Sequence, residues 1–481
     1  MRAAARVLTI AGSVAMVVAV CGFGPNAPQG PQPGTSLDPD IIVTAAPVYD
    51  ALAALKGGER FPKGAQLLLV HAGKAERLVT GFAASADANV GFDGKTVLFA
   101  GKQTPADKWQ IWELTLSDGS VRKLIAGEDD VIRPFYLPGG RLVYARRTAR
   151  GFQLEAAGKD AMPVLSPIDS GAGATVVALS YMPGSAIPDD VLADGRILFE
   201  AGFPLGSGST AEMYLVYSDG SGVESYRCDH GSARWGGKQF ASGDVVFTHG
   251  ASLARFTSPL AHETPVAAPR DEYAGAITET TNGAWLVSAR TSAVTHYALK
   301  RWESGSSQTG SAALRTLLAR SGEDLVEPVV VAPRSRPKRH PSGLHAWDYA
   351  NLMALDSRLS REGDLKVAAA RVQLETRDAD GRTMVTGTAP VEADGSFFVK
   401  VPADKPIRFA LLDAKGAVVR QEHGWFWIRR GEQRICVGCH TGPERASENR
   451  VPAVLLRTTT AFDLSGANGA NGAQHATPGG N

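Results

Sequence analysis

The stretch Asp93-Gly94-Lys95-Thr96-Val97-Leu98-Phe99 decides the fold, because it places a tight glycine turn directly before a short β-branched and aromatic strand. The pattern recurs at Gly139-Gly140, Asp194-Gly195, Ser242-Gly243 and Asn282-Gly283. The glycine at the second position of each turn, from Gly94 to Gly283, follows the previous one by 46, 55, 48 and 40 residues. A turn-and-strand unit with this period is typical of a β-propeller, in which each blade has four short strands.

A second turn recurs within the units, at Ser117-Asp118-Gly119 and Ser218-Asp219-Gly220. Strand-like pieces at residues 66–71 and 325–332 can close the ring in a shared blade, which removes the open sheet edges. We therefore predict an all-β chain with a propeller of about six blades over residues 41–332. The blades resemble the TolB-type propeller repeat, most clearly over residues 85–146 and 190–249.

Three further segments follow the propeller. Residues 333–362 are predicted to be an extended linker, because the first nine of them, 333–341, include three prolines and five basic residues. Residues 363–462 again alternate between strands and Asp-Gly turns and predict a small β-sandwich-like domain. Residues 463–481 are rich in Gly, Ala and Asn and predict a disordered tail.

The sandwich segment ends in Cys436-Val437-Gly438-Cys439-His440, a Cys-x-x-Cys-His motif. Two thiols at this spacing can add to the two vinyl groups of one porphyrin, and the next histidine then lies beneath the iron. The motif predicts one covalent haem c, held by Cys436 and Cys439, with His440 as the proximal iron ligand. A redox dithiol, a zinc site with a second ligand pair, or a chance match remain alternatives.

The second axial ligand of such a haem is left open by the sequence. His423 is the nearest candidate for a distal ligand, and His345, Met353 and Met384 are more remote. Trp425 and Trp427 alternate, so both indoles are expected on one face, against the porphyrin or the sandwich core. Nearby arginines at positions 429, 430, 434, 445 and 450 are candidates for pairing with haem propionates.

The first residues predict export. Arg2 and Arg6 precede an apolar run to Val20, as in a signal peptide over residues 1–21, and residues 22–40 form a Pro/Gly-rich linker. Cys21 follows a lipobox-like run and is a candidate lipid anchor, although Val20 occupies a position where a small residue is usual. We expect a periplasmic or cell-surface protein, with an outer-membrane lipoprotein as one form.

The charge composition bears on which classes of partner the protein can bind. The 481 residues include 50 Lys and Arg against 49 Asp and Glu, so the net charge does not favour nucleic acid or an acidic membrane as partner. Cys228 remains outside the motif and is expected to be a buried apolar residue, with His230 as the propeller histidine closest to it. The oligomeric state is not predicted.

The order of a TolB-like propeller, then Ala389-Pro390-Val391 with Asp394-Gly395-Ser396-Phe397, then residues 431–440, resembles the hydrazine synthase alpha subunit family. The resemblance implies a middle domain that carries a c-type haem. In that family a tyrosine shortly after the motif is the proximal ligand, whereas the last tyrosine of this chain is Tyr349. The chain also has one Cys-x-x-Cys-His motif where the family has two. The resemblance therefore does not extend to hydrazine synthesis itself.

Three functions fit these observations. The first is an exported monohaem cytochrome that transfers electrons, with the propeller as a docking scaffold for an unidentified redox partner. The second is a haem-dependent redox enzyme that acts on a small nitrogen or oxygen species, as the family resemblance allows. The third is a surface-anchored binding protein with a structural haem.

Overall fold

The computed structural model describes residues 39–158, 175–202, 211–227, 233–259, 261–303, 314–360, 363–378, 381–438 and 448–466. Within these residues, 32 strands form eight four-stranded sheets, accompanied by a short 3₁₀ helix (Ala54–Lys56) and one helix, α1 (Ala453–Arg457). Across the same ranges, neither helix has the length and apolar character needed to cross a membrane.

Six of the sheets are antiparallel propeller blades. Blade 1 contains β1 (Ile41–Ala46), β2 (Gln66–His71), β3 (Lys74–Arg77) and β24 (Asp324–Val330). Blade 2 contains β4 (Ala84–Val90), β5 (Thr96–Lys102), β6 (Gln110–Thr115) and β7 (Val121–Ile125). Blade 3 contains β8 (Val131–Leu137), β9 (Arg141–Thr148), β10 (Gly151–Gly158) and β11 (Thr175–Ala178).

Blade 4 contains β12 (Ala186–Val191), β13 (Ile197–Gly202), β14 (Ala211–Val216) and β15 (Glu224–Ser225). Blade 5 contains β16 (Arg234–Gln239), β17 (Val245–His249), β18 (Ser252–Phe256) and β19 (Thr264–Pro265). Blade 6 contains β20 (Glu272–Glu279), β21 (Trp285–Arg290), β22 (Ala298–Trp302) and β23 (Arg315–Leu318).

The ring closes in blade 1. Strand β24 pairs with β1, which puts Ile41 opposite Val330 and Ala46 opposite Asp324. The innermost strands β24, β4, β8, β12, β16 and β20 each contact the next, and β20 contacts β24. The two ends of the propeller sequence therefore share one sheet, and the prediction of an all-β propeller with about six blades is confirmed.

The predicted glycine turns join the innermost strand of a blade to the second strand. In blade 2, Gly94 has a φ of +73°, and the Asp93 carboxylate accepts a hydrogen bond of 3.0 Å from the Lys95 amide. Asp194 accepts the same bond from the Arg196 amide in blade 4, also at 3.0 Å. A left-handed backbone and a short acidic side chain are the requirements of such a turn, which explains the recurring Asp-Gly.

Charged side chains cluster around the propeller axis. Every innermost strand has a β-bulge. At three of these bulges a charged residue has a positive φ: Asp87 at +61°, Arg133 at +55° and Glu327 at +57°. A bulge turns its side chain out of the regular pleat, and a non-glycine residue at such a φ costs about 1–3 kcal/mol, so the packing around it must offset that cost.

These residues form a buried ionic network, the axial network, with Arg60 and Asp189. Glu327 accepts hydrogen bonds from Arg60 at 2.6 Å and Arg133 at 3.1 Å. Arg60 also pairs with Asp87, and Arg133 pairs with Asp189 at 2.6 Å. Each of the five side chains is less than a tenth exposed. The network joins blades 1, 2, 3 and 4 through one set of charges.

The other two sheets form the predicted sandwich. One sheet has the order β31 (Gln433–Cys436), β25 (Tyr349–Ala354), β28 (Phe397–Pro402) and β32 (Phe462–Asp463). The other has the order β27 (Thr383–Pro390), β26 (Arg371–Arg377), β29 (Ile407–Leu412) and β30 (Val418–Gln421). Leu352, Val399, Leu374 and Leu411 from both sheets share one buried cluster.

The sandwich is longer at both ends than the sequence predicts. Strand β25 lies inside the predicted linker 333–362, yet it is an interior strand of its sheet, with alternate residues Ala350, Leu352 and Ala354 buried. At the other end, Leu464 is 4% exposed and packs in the sandwich core, although the predicted disordered tail begins at residue 463. A short amphipathic strand flanked by polar residues resembles a linker in sequence, because only its neighbours show that it is paired.

Residues 333–341, named here the basic strap, lie along the propeller and do not span solvent as a free linker. The Arg334 amide donates to the Phe92 carbonyl and the Lys338 amide to the Ala193 carbonyl, both at 3.0 Å. Side chains at the turn residues Gly94 and Gly195 would collide with the strap backbone. At two of the recurring turns, the absence of a side chain on glycine therefore allows the strap backbone to pack closely against the propeller.

Candidate functional site

Cys436 ends the edge strand β31, which pairs in parallel with β25 so that Cys436 lies opposite Ala354. Its thiol lines a cavity of about 70 Å³ between the two sheets of the sandwich. Cys439 and His440 lie outside the described residues, as do Cys21, Cys228 and His230, with the predicted signal peptide and most of the N-terminal linker. The structure thus places the first residue of the motif.

The edge strands β30 and β31 both contribute residues to the cavity. Its wall is mostly apolar and aromatic: Leu352, Ala354, Phe397, Phe409, Leu411 and Phe426. Arg420 and Glu422 are its charged lining residues, and Cys436 and Gly438 complete it. A thiol beside an apolar, aromatic wall is a chemical environment in which a porphyrin edge can attach.

The surroundings of the Cys436 thiol affect its acidity. Burial raises the pKa of Cys436, and the opposing effect of the nearby Arg434 guanidinium does not restore it to its ordinary value. A reactive dithiol needs a lowered pKa, because the thiolate is the nucleophile. Among the described residues no group of His, Cys, Asp and Glu side chains could hold a metal ion directly. Haem attachment at this motif stays a prediction.

The structure does not bring His423 into the cavity. His423 is exposed, whereas its neighbour Glu422 lines the cavity wall. His345 is also exposed and stacks on Trp347, with 5.1 Å between ring centroids. Met384 is 51% exposed. His423 as a distal ligand stays a prediction.

Trp427 attaches the sandwich to the propeller, a role that sequence reasoning missed. Its indole is fully buried in a cluster from blades 3 and 4, at 6.2 Å from the rings of both Tyr181 and Phe199. Its Nε1 donates to the Gly220 carbonyl at 2.9 Å. Trp425 instead packs beneath Arg377 and Arg408 in the sandwich.

The expectation that both indoles face the same side is therefore wrong. Residues 424–428 form no regular strand in the structure, and only Phe426 makes an isolated bridge, to Ile407. Strict alternation of faces requires a continuous pleat, which this segment lacks.

Charged residues next to Trp427 extend the interface. The Arg429 guanidinium donates to the carbonyls of Ala178 at 2.8 Å and Asp219 at 2.7 Å, and Glu432 accepts a bond of 3.1 Å from the Gly222 amide. Arg434 donates to the Val223 carbonyl. Because Arg434 is two residues before Cys436, the propeller holds the segment that carries the motif.

Most of the candidate propionate-binding arginines already have protein partners. Arg429 and Arg430 both pair with Asp404, at 2.7 and 3.1 Å, and Arg450 pairs with Asp394. Arg445 lies outside the described residues. Arg434 keeps one buried guanidinium nitrogen, Nη1, without a hydrogen-bond partner. Of the described members of the set, Arg434 is the one with a buried donor that lacks a partner.

Asp394 holds the segment that follows the motif, and this contact predicts a dependence on pH. Burial alone would raise its pKa, but hydrogen bonds from Ser396, the Ala453 amide and Arg450 hold the pKa of Asp394 well below its ordinary value. The resulting stability is present above the unfolded-state pKa of about 3.9 and is lost as the pH falls further.

Urea unfolding at a series of pH values from neutral to strongly acidic checks this prediction. Asp394→Asn should lose stability at neutral pH and show a shallower acid dependence. Asp413→Asn, at a comparable but exposed turn, should keep the wild-type slope. Equal slopes for all three proteins would contradict the assignment.

Comparison with known proteins agrees with this architecture. Residues 354–441 match the family model described as the hydrazine synthase alpha subunit middle domain. Hydrazine synthase from Kuenenia stuttgartiensis is similar in structure, with a TM-score of 0.73 and 16% identity over 87% of this chain and 71% of that chain.

TolB from Acinetobacter baumannii matches with a TM-score of 0.38 and 12% identity, over 55% of this chain and 60% of that chain. Among curated proteins, no sequence is significantly similar to this chain. The resemblance to the hydrazine synthase alpha-like family is therefore confirmed, by sequence over residues 354–441 and by fold over most of the chain.

Proposed function

We propose that this protein is a haem c redox enzyme that acts on a small nitrogen or oxygen species. The observation that carries the proposal is the family match over residues 354–441, which spans the whole Cys-x-x-Cys-His motif. Cys436, the first residue of that motif, lines a mostly apolar cavity. Hydrazine synthase has a similar fold, and the fold alone does not transfer its reaction.

The residues divide the work as follows. The Cys436 and Cys439 thiols would add across the two vinyl groups of one haem, so that each S–H and C=C bond is replaced by a thioether and a C–H bond. His440 would ligate the iron from the proximal side. When bound, the haem supplies one-electron redox chemistry at an iron that can accept a small ligand. The aromatic wall limits access of water, and Glu422 provides an ionisable group in the same cavity.

Electron transfer without catalysis is the second candidate. The exposed cations of the basic strap favour it, because a positive surface steers an acidic redox partner. For the enzyme and for the electron carrier alike, we propose that the protein is exported and that Cys21 is a candidate lipid anchor.

Visible absorption spectra of the oxidised and reduced protein, with and without carbon monoxide, test the proposal. We expect one covalent haem c per chain and a reduced spectrum that shifts when carbon monoxide binds. A low-spin spectrum indifferent to carbon monoxide would support the electron carrier. Absence of covalent haem would overturn both functions. Cys436→Ser is the matched variant and should reduce covalent attachment, whereas Ser357→Ala, in a buried turn of the same domain, should retain it.

A further inference from the structure

The basic strap carries a row of cations that the protein itself does not neutralise. Arg336, Lys338 and Arg339 are exposed, whereas the Arg334 guanidinium packs over the Phe92 ring at 4.5 Å and donates to Asn89 Oδ1 and the Val90 carbonyl, both at 3.4 Å. None of the four forms an ion pair within the described part of the chain. By contrast, Arg60, Arg133, Arg146 and Arg234 of the propeller each pair with a carboxylate. The strap is therefore a local excess of positive charge on a protein whose net charge is only +1.

The strap backbone is fixed, so the cations have defined positions. Besides the two main-chain hydrogen bonds to blades 2 and 4, Pro337 is buried and the His340 ring stacks on Tyr217, with 3.8 Å between ring centroids. Residues 334, 336 and 338 alternate along an irregular, non-helical segment, in which the Cα atoms of successive basic residues are at most about 7 Å apart. A backbone that is already held in place loses little conformational entropy when a partner binds.

A cleft of about 410 Å³ lies beside the strap at the axial end of the propeller. Arg334, Ser335 and Pro337 of the strap line it, together with Lys238, which already pairs with Asp190 at 3.5 Å. The carboxylates of the cleft already have donors: Asp190 accepts from the Gln239 amide at 3.0 Å and Glu279 from the Ala241 amide at 2.7 Å. The cleft thus offers a concave, partly cationic surface for side chains of a bound peptide.

The strap and the sandwich lie at the same face of the propeller. The strap contacts the turns at Gly94 and Gly195, which join the first and second strands of blades 2 and 4. Trp427 contacts Gly220, in the turn that joins the third and fourth strands of blade 4. In an antiparallel four-strand blade these two turns are at the same edge. A partner on the strap would therefore sit on the face that carries the sandwich.

We propose that the basic strap binds an acidic segment of a redox partner protein. The proposal rests on the proposed haem function, which needs a protein to supply or remove electrons. A row of cations only one residue wide beside a concave cleft fits an extended chain with carboxylates at alternate positions. A flat anionic membrane cannot enter the cleft, and nucleic acid is disfavoured by the balanced charge of the whole protein.

The test uses the full chain and a fluorescently labelled peptide of alternating glutamate and alanine. We expect the triple variant Arg334→Gln, Arg336→Gln and Lys338→Gln to bind the peptide about tenfold more weakly at low ionic strength. The control is Lys74→Gln, Arg150→Gln and Arg270→Gln, which removes the same charge from exposed positions elsewhere on the propeller. The control should change the affinity less than about twofold. Melting curves of both variants confirm folding.

Equal weakening by both triple variants, or no weakening by the strap variant, would overturn the proposal. A strap-dependent loss of binding to anionic phosphatidylserine vesicles, with peptide binding unchanged, would also overturn it in favour of a membrane. Repeating the peptide titration with Cys436→Ser separates the two proposals, because the strap can bind its peptide even if no haem is attached.

Discussion

Replacing Trp427 by alanine is expected to lower the free energy of unfolding by about 3–5 kcal/mol, the usual cost of removing a fully buried tryptophan. The indole fills a cluster between blades 3 and 4 and donates to a propeller carbonyl at 2.9 Å. Its loss leaves a cavity at the domain interface and exposes the buried Arg429 contacts to water. Urea unfolding followed by circular dichroism measures the change.

The matched control for this prediction is Trp347→Ala. Trp347 is 45% exposed, so its removal should cost less than about 1 kcal/mol. We also expect faster proteolysis between the propeller and the sandwich in Trp427→Ala than in the control. Indistinguishable unfolding midpoints for the two variants would show that the indole does not hold the domains together.

Replacing Glu327 by glutamine is expected to destabilise the protein by a similar amount, about 3–5 kcal/mol, because it removes one partner of a buried ionic network. The carboxylate of Glu327 is shared by Arg60 and Arg133, so two guanidiniums lose their common anion in the middle of the propeller. Glu303→Gln is the matched control. Its pairing with Arg301 involves a carboxylate that is 62% exposed, so the cost should be below about 1 kcal/mol.

The same residue predicts an effect of pH. Burial alone would raise its pKa, but the charges of Arg60 and Arg133 hold the pKa of Glu327 below its ordinary value. Wild-type stability from this group is present above the unfolded-state pKa of about 4.3 and decreases as the pH falls further. The difference in stability between wild type and Glu327→Gln should therefore shrink on acidification. A difference that stays constant with pH would contradict the role of the charge.

The blades were accessible from sequence because their signals are local. An Asp-Gly turn and the strand after it occupy fewer than about ten residues, and their period reports the blade. The axial network was not accessible in this way. Arg60, Arg133 and Glu327 are far apart in the chain. Bulges on innermost strands turn Arg133 and Glu327 toward each other, and Arg60 reaches them from the segment between β1 and β2. No window of sequence contains that geometry.

In the candidate site too, some features follow from local sequence and others depend on the tertiary structure. The Cys-x-x-Cys-His motif is local, and so is the expectation that its residues bind haem. The cavity beside Cys436 depends on two edge strands from different sheets, and the exposed position of His423 depends on how the chain turns before Phe426. The attachment of this segment through Trp427 depends on a gap between two blades more than 200 residues earlier in the chain.

The sequence by itself determined the blade repeat, the turn chemistry and the haem-type motif, because each arises from interactions within a few neighbouring residues. The tertiary structure decided which distant residues come together. It produced the axial network, the packing of the strap against Gly94 and Gly195, the interior position of β25 and the Trp427 interface. Burial and pairing of distant charges depend on the closed ring and on domain packing, and these bring together residues that no local pattern links.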